Sequence, residues 1–154
     1  MDRKTKLYNS FSGMSPFEKR QLIDFICTYQ EGAVRKNVAE ALGYALKEKP
    51  SFGGFALSVV ENETIVAAII ANNTGMKGYQ ASCLFLYVTV DRKKAKDELI
   101  LKEMMRQALD LADGDVALRV EPKNPILSFF KKLGFTTSTL ELRQQKTTAQ
   151  SLFA

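Results

Sequence analysis

The run Cys83-Leu-Phe-Leu-Tyr-Val-Thr-Val90 is apolar almost without interruption. Successive strand residues point to opposite faces, so a strand apolar on both faces belongs inside a sheet with helices covering each side. A polar stretch from Asp91 to Lys96 follows, and then Ile100, Leu101, Met104, Met105, Ala108, Leu111 and Ala112 recur at helical spacing. That stripe is an amphipathic helix. Asp97 and Glu98 sit in its first turn, where acids favour the helix dipole. Asp113-Gly114 then turns the chain into Val116 to Val120, a short alternating strand. A strand–helix–strand unit of this kind makes a right-handed parallel crossover.

Upstream, the pattern is helical and then changes period. Ser15 can cap a helix, Pro16 suits the first helical position, and Glu18 completes a capping box. Phe17, Leu22, Phe25, Ile26 and Tyr29 carry that helix to about Gln30, and Gly32 breaks it. A second helix runs from about Val34 to Lys47, with Pro50 beyond its end. Phe55 to Val60 and Ile65 to Ala71, separated by Glu61-Asn62-Glu63-Thr64, read as a β-hairpin. Near the C-terminus, Asn124 and Pro125 open a short helix through Lys132, Gly134 ends it, and Phe135 to Leu142 alternates as a last strand. The expected fold is one α/β domain over residues 1–154, a mixed sheet with helices on both faces, and 144–154 as a loose tail.

Composition narrows the chemistry. The 154 residues include no histidine, which removes Ser-His-Asp and Cys-His pairs and any metal site that needs imidazole. Cys27 and Cys83 lie far apart, so neither a structural zinc site nor a disulfide framework is expected, and a reducing cytoplasm is the expected compartment. The apolar runs are well short of the ~20 residues a membrane helix needs. Twenty-two Lys and Arg against seventeen Asp and Glu leave a charge of +5. This suits an anionic ligand before nucleic acid, because no helix-turn-helix or basic-aromatic pattern accompanies it.

Two segments resemble the GNAT superfamily of acyl-CoA-dependent N-acyltransferases. Asn124-Pro-Ile-Leu-Ser-Phe-Phe-Lys-Lys-Leu-Gly-Phe135 is similar to that family's N-x-x-A-x-x-F-Y-E-K-L-G-F signature. The strand ending Leu86-Tyr-Val-Thr-Val90, its basic loop and the helix reading ILKEMMRQA are similar to the family's strand, its R-x-x-G-x-G/A phosphate loop and the helix after it. Independently of the name, a strand that runs through a tight loop into a helix points backbone N–H groups at one spot and makes an anion site. Arg92, Lys93, Lys94 and Lys96 place four cations there.

The resemblance implies acetyl transfer from acetyl-CoA to a small-molecule or protein amine by direct attack. It implies cofactor contacts at Val88, Val90, Arg92, Lys93, Lys94, Ala95, Lys96, Asp97, Asn124 and Phe130, and a backbone oxyanion contact at Val88. Ala95 and Asp97 stand where the family has glycines, and Phe130 stands where many members have a proton-donating tyrosine. A binding or regulatory module that has lost transfer is therefore the alternative function. Without histidine, the general base falls to a carboxylate or water. Glu121, just after the Val116–Val120 strand, is the first candidate, with Glu61 and Glu63 behind it as solvent-facing hairpin residues. Tyr87 or Tyr79 can stand in as an acid, and Cys83 reads as a small buried residue. No metal, membrane or nucleic-acid partner is expected, and a homodimer is one expectation for the assembly.

Overall fold

The computed structural model describes residues 3–94 and 98–146. The chain forms two compact units, Met1–Asn124 and Pro125–Ala154. In the first, five strands lie in the order β1-β2-β3-β4-β5: Arg3–Tyr8, Gly54–Glu61, Thr64–Asn73, Cys83–Val90 and Val116–Leu118. The first four are antiparallel neighbours, and β5 runs parallel to β4, so the sheet is mixed as expected. Helices α1 (Pro16–Tyr29), α2 (Arg35–Ala45) and α3 (Glu98–Leu111) complete the unit.

The alternation along the strands assigns the two faces. Tyr8, Ala56, Ala68 and Ile70 share one buried cluster with Leu22 and Ile26 of α1 and Val38 and Leu42 of α2. Residues of opposite parity, such as Phe55, Leu57, Ile69 and Phe85, are buried on the other side. There α3 packs against β2 and β3 with Ile100, Leu101, Met104, Met105 and Ala108 buried. The rings of Phe55 and Phe85 meet edge to face at 6.1 Å on that side. Helices thus cover both faces.

The start of α1 follows its sequence. The Ser15 side chain accepts the Glu18 N–H at 3.1 Å, and Glu18 Oε1 accepts the Ser15 N–H at 2.9 Å. Glu18 has a second task, because Tyr8 Oη donates to its Oε2 at 3.1 Å and ties β1 to α1. Burial, with the neighbouring Glu18 charge, pushes the Tyr8 phenol up to about 12. The backbone bond from Ser15 leads the causes that hold the Glu18 carboxyl below its ordinary value. The hairpin closes through Asn62 and Glu63, both at positive φ (51° and 67°), with Glu61 paired to Thr64. Positive φ at both central positions matches the twist of the strands they join. At the start of β2, Gly54 sits so close to β3 that a Cβ there would lie 2.0 Å from the Ala71 carbonyl oxygen.

Two expectations change. The segment RKTKLY forms a strand that hydrophobic alternation does not reveal. It is an edge strand, where exposed lysines are tolerated and even protective. Its inward contribution is Tyr8 alone, and its register is set by backbone pairing and by Arg3 directly opposite Glu61. At the other end, Phe135–Leu142 forms no strand. Leu140 and Leu142 are 84% and 87% exposed, so the apolar side of the alternation covers nothing.

The second unit contains α4, Leu127–Lys132, one turn shorter at its start than Asn124-Pro125 suggests. Gly134 ends it in the left-handed region at φ 98°, and the Phe135 N–H returns to the Phe130 carbonyl at 3.2 Å. This closure seats the Phe135 ring edge to face with Phe130 at 6.1 Å, which gives the Leu-Gly-Phe sequence its local reason.

The capping box yields a stability prediction. Glu18→Ala removes one reciprocal cap and the acceptor of Tyr8, and denaturant unfolding at pH 7 will show a loss of about 1–2 kcal/mol. Because the Glu18 carboxyl is depressed in the folded protein, its contribution is present above its unfolded value. It disappears as pH falls through the folded one, so wild type and variant converge in acid.

Candidate active site

The central feature is a break in the β3–β4 register. Ile70 pairs with Leu86 and Ala68 pairs with Thr89, so Tyr87 and Val88 together oppose Ile69. This is a β-bulge in β4. Tyr87 occupies it at φ 53°, left-handed for a bulky side chain. That conformation costs about 1–2 kcal/mol. The extra residue reverses which side chains face which side. Leu86 and Tyr87 both pack against the α1–α2 cluster, and Thr89 reaches Gln30 of α1 at 3.3 Å. Val88 and Val90 then turn to the α3 face, where Val90 stands opposite Ala67.

The backbone follows the same alternation. Thr89 pairs with Ala68, and the Asp91 N–H donates to the Val66 carbonyl at 2.8 Å, so these two residues aim their amides at β3. Val88 and Val90 alternate with them and present theirs on the opposite edge. On that edge β5 accompanies β4 only through Cys83–Val116, Leu84–Ala117 and Phe85–Leu118. One last bond, Arg119 N–H to the Phe85 carbonyl at 3.2 Å, closes the ladder. Among the described residues no strand lies along β4 beyond it. The bulge and the early end of β5 therefore open the sheet beside Leu86–Val90.

That open edge leads directly into the basic turn. Arg92–Lys94 forms a 3-10 turn whose Lys93 N–H donates to Asp91 Oδ1 at 2.9 Å. Arg92 and Lys93 are exposed. The Tyr29 hydroxyl at the end of α1 faces Asp91, and burial together with the Asp91 charge raises its pKa. Ala95, Lys96 and Asp97 lie outside the described residues, as does the side chain of Lys94. The helix that follows, α3, begins at Glu98.

The remaining candidates separate by environment. Glu121 is exposed, three residues beyond β5, and its carbonyl accepts the Asn124 N–H at 3.0 Å in a turn. Glu63 is exposed as expected, but Glu61 is not solvent-facing: it is 4% exposed and bound to Arg3 at 2.7 Å. Directly opposite positions on paired strands bring those two charges together, and burial removes Glu61 from the list of bases. Tyr79 is 93% exposed in the β3–β4 loop. Phe130, in the second unit, is buried with its ring 5.9 Å from that of Phe129. Cys83 is buried, and desolvation pushes its thiol up to about 11. Among the described residues no group of three or more His, Cys, Asp and Glu is placed to hold a metal ion. No helix among them is long and apolar enough to cross a membrane.

A cavity of about 380 Å³ lies elsewhere, bordered by Lys6, Tyr8, Glu18 and Ser58 on β1, β2 and α1. Its lining reaches Ile65 on β3 but includes no residue of β4 or β5, so it is not part of the opened edge. Sequence reading missed the bulge itself. Its only trace is a tyrosine within a β-branched run, which carries no signal for a left-handed residue.

Two outcomes follow from this geometry. Iodoacetamide at pH 7.5 will label the half-buried Cys27 and leave Cys83 unmodified until the protein unfolds, as peptide mapping will read. Asp91→Ala removes the acceptor of the Lys93 amide, so hydrogen exchange at Lys93 will accelerate, while Asp91→Asn, which keeps an acceptor oxygen, will stay near wild type.

No family model matches the sequence, and no curated protein matches it. Solved structures do match along nearly the whole chain. An integron cassette protein from the mobile metagenome of V. cholerae aligns with TM-score 0.61 and 13% identity over 96% of this chain and 94% of its own. The aminoglycoside acetyltransferase AAC(6')-Iy, bound to a CoA–acetylneamine bisubstrate analogue, aligns with TM-score 0.60 and 10% identity over 94% and 99%. The aminoglycoside 6'-N-acetyltransferase AAC(6')-IG from Acinetobacter haemolyticus gives 0.57 and 12% over 96% and 99%. The chain therefore has the fold of the GNAT acetyltransferases.

Proposed function

We propose that this protein is an N-acetyltransferase that passes acetyl from acetyl-CoA to an amine by direct attack. The observation that carries the reading is the edge of β4 from Leu86 to Val90, left open by β5 and continuous with the cationic turn Arg92–Lys94. Such an edge suits a ligand with an amide-containing arm and a pyrophosphate, because strand amides bind the arm as another strand would and the basic turn meets the phosphates. Fold likeness to acetyltransferases crystallised with CoA compounds supports the same assignment.

In this reading the Val88 N–H binds the thioester oxygen as charge develops on it, and Val90 binds the arm. Arg92, Lys93, Lys94 and Lys96 meet the diphosphate, with Ala95 and Asp97 in the family's glycine positions. Asn124 completes the cofactor contacts, and Glu121 takes the amine proton directly or through water. A backbone donor at the oxyanion asks nothing of the side chain, so a valine serves there. Asp91 fixes the turn through the Lys93 amide.

The second reading is a binding or regulatory module that holds CoA without transfer. It is favoured by Phe130, whose ring meets those of Phe129 and Phe135 edge to face and carries no hydroxyl.

Titration calorimetry with acetyl-CoA and CoA tests both. Binding is expected, and Arg92→Glu with Lys93→Glu will weaken it by at least about tenfold through loss of charge-assisted contacts. Thiol release with neamine as probe amine then marks the enzyme, and binding with no release over a panel of amines marks the module. No binding at millimolar nucleotide overturns both readings.

A further inference from the structure

Acyl transfer leaves a CoA thiolate that needs a proton, and the chain has no histidine and a phenylalanine at position 130. Of the two tyrosines that can stand in as an acid, the bulge singles out Tyr87. In an unbroken β4, Tyr87 would alternate with Leu86 and point to the α3 face. The extra residue instead sets the side chains of Leu86 and Tyr87 on one face, against α1 and α2. The strained residue is thus the immediate neighbour of Val88, whose amide lies on the open edge, and its phenol is on the opposite face from the Val88 side chain.

Resting on the acetyl-transfer reading, we propose that Tyr87 is the proton donor to the departing thiolate. In the step, the amine lone pair forms the N–C bond and the carbonyl π pair moves to the oxygen held by Val88. That pair returns as the C–S bond breaks with both electrons on sulfur. The sulfur takes the Tyr87 hydroxyl proton, and the acylated nitrogen gives its proton to Glu121 directly or through water. The phenolate regains a proton from solvent as Glu121 releases its own. The products are the amide and CoA thiol, and the enzyme is unchanged.

The surroundings keep the hydroxyl protonated until the thiolate appears. Among the described residues, the charged forms of Cys27 on α1 and Glu40 on α2 act on it, and both, after burial itself, raise its pKa. Glu40 is exposed and Cys27 half-buried, and among the described residues these two are the charged groups that act on the phenol.

The test needs no knowledge of the acceptor. Dissociation constants of CoA and of desulfo-CoA are measured between pH 7 and 10 for wild type, Tyr87→Phe and Tyr87→Asn. Asparagine tolerates the left-handed conformation and lacks the phenol, so it serves if phenylalanine impairs folding. A donor beside sulfur lowers the thiol pKa in the complex, so CoA tightens relative to desulfo-CoA as pH rises, about tenfold per unit of thiol shift. Wild type is expected to show this rise and both variants to lose it, with desulfo-CoA affinity unchanged. If both ligands bind wild type with a ratio that ignores pH, or the variants keep the rise, Tyr87 is not the donor and the acetyl-CoA reading stands. If neither ligand binds wild type, the acetyl-CoA reading falls and this inference with it.

Discussion

The site depends on one extra residue in a β-ladder. Tyr87 and Val88 facing the single residue Ile69 bend β4 and reverse its alternation. They also leave the amides of Val88 and Val90 on the edge that β5 abandons after Leu118. A regular strand with a full-length parallel neighbour would bury that edge, because unpaired backbone groups are costly inside a protein. The local strain at Tyr87 persists because its neighbours hold it from both sides. Leu86 pairs with Ile70, Thr89 pairs with Ala68, and the Asp91 amide reaches Val66. Strain held in this way collects where geometry serves binding or chemistry.

The rest of the first unit fixes that strand in space. The Tyr8–Glu18 bond joins the β1 edge to α1, and the Thr89–Gln30 contact joins the other end of α1 to β4. On the opposite face α3 seals β2 and β3 with its methionine and aliphatic stripe. The basic turn hangs between β4 and α3, its first residues set by Asp91. The end of α1 therefore touches both the turn, through Tyr29 and Asp91, and the bulge, through Gln30 and Thr89.

Much of this was legible in the residues. The run from Cys83 to Val90 marked the inner strand to the residue, since nothing else explains eight nearly continuous apolar positions. Ser15-Pro16-x-Glu18 marked the start of α1 because Ser15 and Glu18 each satisfy an orphan N–H at the helix terminus and Pro16 has none to leave unsatisfied. The methionine stripe marked the buried side of α3. Other features were opaque for physical reasons. Arg3–Tyr8 pairs through its backbone and buries one side chain, so no hydrophobic period records it. Phe135–Leu142 has the period of a strand without a surface to cover. Glu61 reads as a hairpin acid until the register places Arg3 opposite. The bulge is a property of pairing between two strands, and neither strand encodes it alone.

Amide hydrogen exchange along β4, resolved to single residues with and without CoA, tests the central claim most directly. Before ligand, Val88 and Val90 should exchange fast while Leu86, Thr89 and Asp91, bonded toward β3, exchange slowly. Saturating CoA should protect Val88 and Val90 and leave the β3-facing amides as they were. Fast exchange at Val88 and Val90 unchanged by bound CoA, with new protection on another element, would contradict the account.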